Sequence, residues 1–276
     1  MAKKITIPEF KIYKQENRRF TMLTVYDYTT AKIVDESNVE AILVGDSIGN
    51  IVYGFDSTTP VTLDMMILAT RAVVKGAPNT FIVGDLPFGT YNVSCQQAIE
   101  SANRMMKEGG CDCVKLEGGI EMADKIEAIV KSGTPVMGHI GLTPQTAASA
   151  GGMKVQGKTP ETAKKLIEEI KAIEKAGAFC CLVECVPVGV GKAMSEAVEI
   201  PMFSGGSGPY GTGHGQNFYD MFGFFGRAPK FVKHFGEYRE QFVKGLNEFR
   251  DDVNNKVYPA PEQCYNVVVE GFEIDK

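Results

Sequence analysis

Five short apolar runs in the chain each end on a residue that can ionise or bind a metal. They read ILVGDS (42–47), FIVGDLP (81–87), CVKLEGG (113–119), PVMGHIG (135–141) and CLVECVP (181–187). The polar residues they deliver are Asp46, Asp85, Lys115 with Glu117, His139 and Glu184. Asp46 and Asp85 are candidate ligands for a hard divalent cation such as Mg²⁺, which takes carboxylate oxygens and keeps positions for water and substrate. Either aspartate could instead be a helix cap or turn residue, but two in G-D contexts at successive strand ends favour the metal. Lys115 and Glu117 lie two apart in a strand and so point to the same side. They read as an internal ion pair, or as a lysine neutralising a substrate carboxylate beside a glutamate that supports the metal or its waters. His139 sits in G-H-I-G, where glycines let a ligand approach closely, although a satisfied buried histidine has the same pattern. Glu184 is flanked by apolar residues and cysteines, so desolvation is expected to raise its pKa toward the range of a general base. A paired structural carboxylate is the alternative there.

These parts describe one reaction class. A metal that chelates a 2-oxo acid through its carboxylate and keto oxygens stabilises the enolate left when a carboxylate base removes the neighbouring proton. The enolate then attacks a carbon electrophile. No strongly activated serine or cysteine nucleophile is apparent, and Cys185 beside Glu184 reads as core.

The spacing also dictates what must position these residues. A buried parallel strand is a continuous apolar run, and a helix has to intervene before the next parallel strand. The chain predicts strands at 20–26, 41–47, 80–86, 112–117, 135–141, 179–185 and 201–206. Between them fall helices around 29–37, 62–76 (Thr62 as N-cap), 94–109 (Ser94 as cap), 120–132, 160–176 and 188–198. An eighth unit is weakest, somewhere in 217–235, and 236–253 reads as a terminal amphipathic helix. Seven or eight βα units, with no G-x-G-x-x-G in the first βα turn, point to a (β/α)8 TIM-type barrel rather than a dinucleotide fold. In such a barrel the C-terminal strand ends converge on one mouth. The segments 142–160 and 204–216 have no clear helix and are candidate lids. The expected organisation is one barrel domain over 1–276, with a short N-terminal extension and a C-terminal helix.

Composition narrows the function classes. The 276 residues carry 44% hydrophobic side chains and a net charge of −5 with both signs mixed, which gives no basic stripe for nucleic acid. No apolar signal core or membrane-length run is present, so no membrane partner is expected. The seven cysteines sit mostly in apolar segments without a C-x₂-C pair, as reduced core thiols of a cytoplasmic protein do.

At its chemical residues the chain resembles the ketopantoate hydroxymethyltransferase family. The matching stretches include TVYDYTTAKI (24–33), LVGDSIGNIVYGFDSTTPVT (43–62), GDLPFGTY (84–91), VKLEGG (114–119), PVMGHIGLTPQ (135–145), GGMKVQGKT (151–159) and LVECVPV (182–188), spread over roughly 10–190. The resemblance implies a barrel of the phosphoenolpyruvate/pyruvate-like superfamily that forms homo-oligomers, often decamers. It implies Mg²⁺-dependent transfer of a hydroxymethyl group from 5,10-methylenetetrahydrofolate to 3-methyl-2-oxobutanoate. On that resemblance Asp46 and Asp85 are metal ligands with Glu117 in the outer shell. Ser47 and Lys115 hold the substrate carboxylate, Asp85 and His139 line the same pocket, and Glu184 is the base that takes the C3 proton. The resemblance lapses after Pro201, where members typically show G-I-G-A-G, D-G-Q and a His-Asp pair. Here MFSGGSGPYGTGHGQNFYDMFGF (202–224) puts His214 near the aspartate position and Tyr219-Asp220 in place of His-Asp. That departure motivates two alternatives: a paralogue using another 2-oxo acid or aldehyde donor, or a binding protein whose catalysis has lapsed. Phosphoenolpyruvate mutases and isocitrate lyases share the metal–enolate logic, but their K-x-C-G-type lid is not found.

Overall fold

Each apolar run folds as a parallel strand whose inward side chains fill one barrel. The computed structural model describes residues 4–149, 151–226 and 228–271. The expected domain span also takes in residues 1–3, 150, 227 and 272–276, which lie outside the described residues. The strands are β1 (Phe20–Thr24), β2 (Ala41–Val44), β3 (Phe81–Asp85), β4 (Cys113–Glu117), β5 (Val136–Gly141), β6 (Cys180–Glu184), β7 (Met202–Gly205) and β8 (Gly213–Asn217). They pair in sequence order as a closed barrel, with β8 returning to β1 in parallel.

The covering helices are α1 (Ile7–Gln15), α2 (Tyr28–Asp35), α3 (Ile48–Ile51), α4 (Leu63–Gly76), α5 (Cys95–Arg104), α6 (Ala123–Lys131), α7 (Pro160–Lys175), α8 (Val188–Glu196), α9 (Phe218–Met221) and α10 (Tyr238–Asn254). Thr62 and Ser94 cap α4 and α5 as expected, their hydroxyls accepting from Met65 and Gln97 backbone N–H. The helix expected over 120–132 starts as a 3₁₀ turn, Ile120–Met122, before α6.

Two expectations fail in the last quarter. The eighth unit begins before 217–235: its strand is Gly213–Asn217, mostly inside the glycine-rich segment 204–216 read as a lid, and only its helix α9 falls in the expected range. No apolar run marks it, because its inward positions hold small residues. A Cβ at Gly213 would lie 2.5 Å from the Phe20 ring and 2.6 Å from that of Phe203. Neighbouring aromatics therefore occupy the volume that an apolar strand residue ordinarily fills. The aromatic-rich stretches 222–226 and 228–235 instead fold over the barrel mouth.

The N-terminal extension is also structured. α1 closes the opposite, N-terminal end of the barrel, with Phe10 only 1% exposed. Its ring meets Phe20 at 4.8 Å, Phe81 at 5.0 Å and Phe179 at 5.8 Å between centroids. Lys14 fixes the plug to the C-terminal end of α8 through Ser195, Val198 and Ile200 carbonyls at 2.9, 2.6 and 2.9 Å. Among the described residues no helix is long and apolar enough to cross a membrane. Phe10→Ala is expected to cost about 3–5 kcal/mol by leaving a cavity among these rings. Denaturant unfolding of the variant measures it, and a loss below about 1 kcal/mol would show that the plug is not part of the cooperative core.

Candidate active site

All seven residues singled out in the sequence, Asp46, Ser47, Asp85, Lys115, Glu117, His139 and Glu184, line one cavity of about 520 Å³ at the C-terminal strand ends. Strand register explains the contacts within it. Asp85 of β3 stands beside Lys115 of β4, and Glu117 of β4 beside His139 of β5. The Lys115 ammonium lies 2.7 Å from Asp85 Oδ1 and 3.4 Å from Glu117 Oε1, with 2% of its side chain exposed. Burial works against its charge, but Asp85, Glu117 and Asp46 outweigh it and hold its pKa above the ordinary lysine value.

His139 sits between two carboxylates. Its Nδ1 is 3.2 Å from Glu117 Oε1 and its Nε2 is 3.3 Å from Glu184 Oε2. Burial and the Lys115 charge push its pKa down, yet Glu117 and Glu184 prevail and it rises to about 9. Glu117 is itself held below the usual carboxylate range, because Lys115 and His139 overcome its burial. Glu184 is less enclosed than expected, with 21% of its side chain exposed toward the cavity. The residue after it, Cys185, takes a φ of 48°, a left-handed conformation rarely adopted outside glycine. The Cys185 N–H donates to the Gly205 carbonyl and its own carbonyl accepts from Gln156 N–H, both at 2.9 Å, so these bonds hold the strained turn that follows Glu184. Burial raises the Cys185 thiol to about 11, which leaves it no thiolate character at neutral pH.

The two aspartates border the same cavity. The Asp46 backbone N–H donates to Asp85 Oδ2 at 3.0 Å, which ties the Asp85 carboxylate to the turn that follows β2. Asp46 is 4% exposed, and its Oδ2 has no hydrogen-bond partner among the described residues. Burial, then the Asp85 charge, push its pKa well above the usual range. No group of three or more His, Cys, Asp and Glu among the described residues forms a metal cage. The donor set is two carboxylates with one buried oxygen left over, which suits a hard cation that keeps water and substrate oxygens in its shell.

Four residues that hold this site in place were not singled out in the sequence. Tyr91 OH donates to Gln145 Oε1 at 2.5 Å and accepts from the Glu117 N–H at 3.1 Å. Gln145, in a 3₁₀ turn of the 142–160 segment, gives its backbone N–H to Glu117 Oε2 at 3.0 Å. Tyr26 and Asn217 join at Ser47: Tyr26 OH is 2.7 Å from Ser47 Oγ, and Asn217 Nδ2 donates to the same phenol at 2.5 Å. Tyr26, Tyr91 and Gln145 belong to the stretches TVYD, FGTY and LTPQ, whose polar residues were the available signal. Asn217 had none, because its strand was not recognised. Pro144 and Met153 make the 142–160 segment part of the cavity wall, whereas the cover is Phe225, Pro229, Phe231 and Val232. Gly206, at φ 78°, admits that cover, since a Cβ there would lie 2.6 Å from the Phe231 ring. His214 does not join the cavity; its Nε2 faces the Arg19 guanidinium at 3.5 Å.

Comparisons with known proteins extend the match. The profile of the family described as ketopantoate hydroxymethyltransferase matches residues 4–261, so the likeness continues through β7 and β8, beyond the point where the short motifs lapse. A 3-methyl-2-oxobutanoate hydroxymethyltransferase of Heliobacterium modesticaldum is 50% identical over 268 residues, 97% of each chain. That of Enterococcus faecalis is 46% identical over 265 residues, 96% of each. Among solved structures, phosphonopyruvate hydrolase complexed with oxalate and Mg²⁺ superposes with a TM-score of 0.61 at 11% identity, over 95% of this chain and 93% of that one. 2,3-Dimethylmalate lyase, a PEP mutase/isocitrate lyase superfamily member, gives 0.55 at 12% identity, over 93% and 92%. At such identities the shared feature is the barrel.

The raised pKa of His139 makes the metal-free protein pH-sensitive. An imidazole at about 9 against an ordinary 6.5 binds its proton more tightly folded than unfolded. That stabilisation is complete below pH 6.5 and is lost as the pH rises through about 9. Its size is about 3 kcal/mol. Urea unfolding between these pH values should show the decline, and His139→Gln should flatten it. An equal slope in both proteins would rule out the histidine as its source.

Proposed function

The chain belongs to the ketopantoate hydroxymethyltransferase family, and on that premise we propose that it converts 3-methyl-2-oxobutanoate to 2-dehydropantoate in pantothenate biosynthesis. The hydroxymethyl group comes from 5,10-methylenetetrahydrofolate. Asp46 and Asp85 hold Mg²⁺, with Glu117 supporting its waters. When bound, the ion supplies Lewis-acid stabilisation of the negative charge that develops on the keto oxygen.

The observation that carries this reading is the meeting of Asp46, Asp85, Ser47, Lys115 and Glu184 around one cavity. Lys115 directs protons to Asp85 and Glu117, which leaves one of its three for a substrate carboxylate. The Ser47 hydroxyl offers a second contact. Leu43, Leu182 and Phe231 give the cavity an apolar side suited to a branched alkyl tail. Glu184 takes the C3 proton: one of its oxygens faces His139, and the side chain opens to the cavity. The cover of Phe225, Phe231 and Val232 limits water at the carbanion centre. The family match through residue 261 weakens the case for a changed donor or lapsed catalysis.

Incubation with 3-methyl-2-oxobutanoate, 5,10-methylenetetrahydrofolate and Mg²⁺ should yield 2-dehydropantoate. Deuterium exchange at C3 should occur without the folate. Glu184→Gln should cut that exchange by about 10²–10⁴-fold while oxo-acid binding persists. A folded protein with neither product nor exchange overturns the reading, and exchange without product moves the doubt to the donor.

The same reading takes the protein as a cytoplasmic homo-oligomer. Its cysteines are free, which supports a reducing compartment. α10 carries Phe242, Leu246, Phe249 and Val253 in one stripe, 55%, 67%, 55% and 45% exposed. Spacings of four, three and four residues put them on a single helix face. An exposed stripe of this kind supports burial against a second copy. Light scattering should give a mass well above the 30.0 kDa of one chain, and Leu246→Glu with Phe249→Glu should lower it. A wild-type monomer would overturn this part.

A further inference from the structure

The hydroxyl of Ser47 belongs to a chain of hydrogen bonds whose direction can be read from donor and acceptor counting alone. The chain starts at Asn217, where β8 passes into α9. Asn217 Oδ1 accepts the Tyr219 N–H at 3.0 Å, capping α9. The amide orientation follows, because a flipped amide would set its NH₂ against that N–H. Nδ2 therefore faces Tyr26, 2.5 Å from the phenol oxygen. An NH₂ group only donates, so the phenol oxygen accepts from Asn217. Ser47 Oγ, at 2.7 Å, is the other partner of this phenol among the described residues, so the single Tyr26 proton goes to it; otherwise a buried proton would have no acceptor. Tyr26 is 3% exposed, and burial raises its pKa above the ordinary tyrosine value, so the phenol stays a donor at neutral pH. With its oxygen already accepting, Ser47 keeps one proton, and its side chain borders the cavity beside Asp46 and Lys115.

We propose that Asn217 and Tyr26 are positioning residues that polarise Ser47, making its hydroxyl a donor into the cavity that selects an anionic head group. This rests on the reading that the cavity takes the carboxylate of a 2-oxo acid. It assigns β8 a part in substrate recognition although no β8 side chain need touch the substrate. The pairing of Thr24 with Asn217 across the β1–β8 seam places the relay at the point where the barrel closes. The Tyr26 ring is held there by stacking on Tyr219, with centroids 5.7 Å apart and planes 20° apart. The Tyr219 hydroxyl in turn donates to Asp27 Oδ2 at 3.0 Å.

The arrangement makes a counterintuitive prediction. Asn217→Asp is nearly isosteric and keeps the helix cap, but a carboxylate only accepts. Tyr26 would then donate to residue 217, Ser47 would donate to Tyr26, and Ser47 lone pairs would face the substrate carboxylate. Titration of the full-length protein with 3-methyl-2-oxobutanoate in saturating Mg²⁺ should show N217D binding at least about tenfold more weakly than wild type, the loss expected for a hydrogen bond to a charged group. Ser47→Ala should lose a similar factor. In the S47A background N217D should add less than about threefold, because there is no hydroxyl left to reverse.

Tyr26→Phe removes the phenol without reversing Ser47, so it should lose less than N217D. Simple repulsion by the new charge predicts the full N217D loss in S47A, and that result overturns the proposal. So does wild-type affinity in N217D, or a Y26F loss larger than that of N217D. Pyruvate and oxalate serve as second probes. If they bind and obey the cycle while 3-methyl-2-oxobutanoate does not bind, the substrate assignment fails and the relay stands. If no carboxylate binds wild type, both fall.

Discussion

A lysine ammonium enclosed in a barrel wall has to be matched by negative charge, and in this protein that match organises the whole mouth. Removing Lys115 from water is costly unless its protons meet acceptors and its charge meets carboxylates. Asp85 and Glu117 provide both, at 2.7 and 3.4 Å. Their geometry follows from strand register, since Asp85 pairs with Lys115 across β3–β4 and Glu117 with His139 across β4–β5. Shifting one of these strands by one residue would turn its own charged groups out of the barrel and leave its neighbours' charges unmatched. The charge cluster and the closed sheet therefore require one another.

The cluster is also unbalanced, and the imbalance is where function enters. Asp46, Asp85, Glu117 and Glu184 face the cavity with Lys115 and His139. His139 moves toward the charged form because two carboxylates flank it, while Asp46 moves toward the neutral form because burial and Asp85 oppose its charge. One site thus drives an imidazole and a carboxyl in opposite senses of ionisation. One buried oxygen of Asp46 is left without a hydrogen-bond partner among the described residues. On the proposed reading, a cation bound beside it would stabilise the folded state by mass action.

The candidate residues from β2 to β6 were legible because each ends an apolar strand, and strand ends in a parallel barrel share one mouth. A polar side chain at such a point stands out against the apolar residues that precede it. Tyr91 and Gln145 were not legible in that way. Their work is done through Glu117, whose backbone N–H and Oε2 they satisfy, and no spacing in the chain announces a contact between residues 91, 117 and 145. α1 was missed as a plug because its packing depends on one phenylalanine meeting rings from β1, β3 and the approach to β6. Only the closed barrel brings those rings together.

β8 was the least legible element, and the reason ties its sequence to its task. Gly213 is small because the Phe20 and Phe203 rings crowd its position, and Asn217 is polar because its amide serves both the α9 cap and the Tyr26 phenol. A strand built from such residues has little hydrophobic drive of its own and is held by its neighbours on both sides. Its pairing with β1 closes the barrel and also brings Asn217 to Tyr26. Folding and site assembly thereby share one contact: a chain whose β8 has not docked has also not set the hydrogen-bond direction at Ser47. The segment with the weakest fold signal is thus one whose residues are chosen for fit and polarity rather than burial.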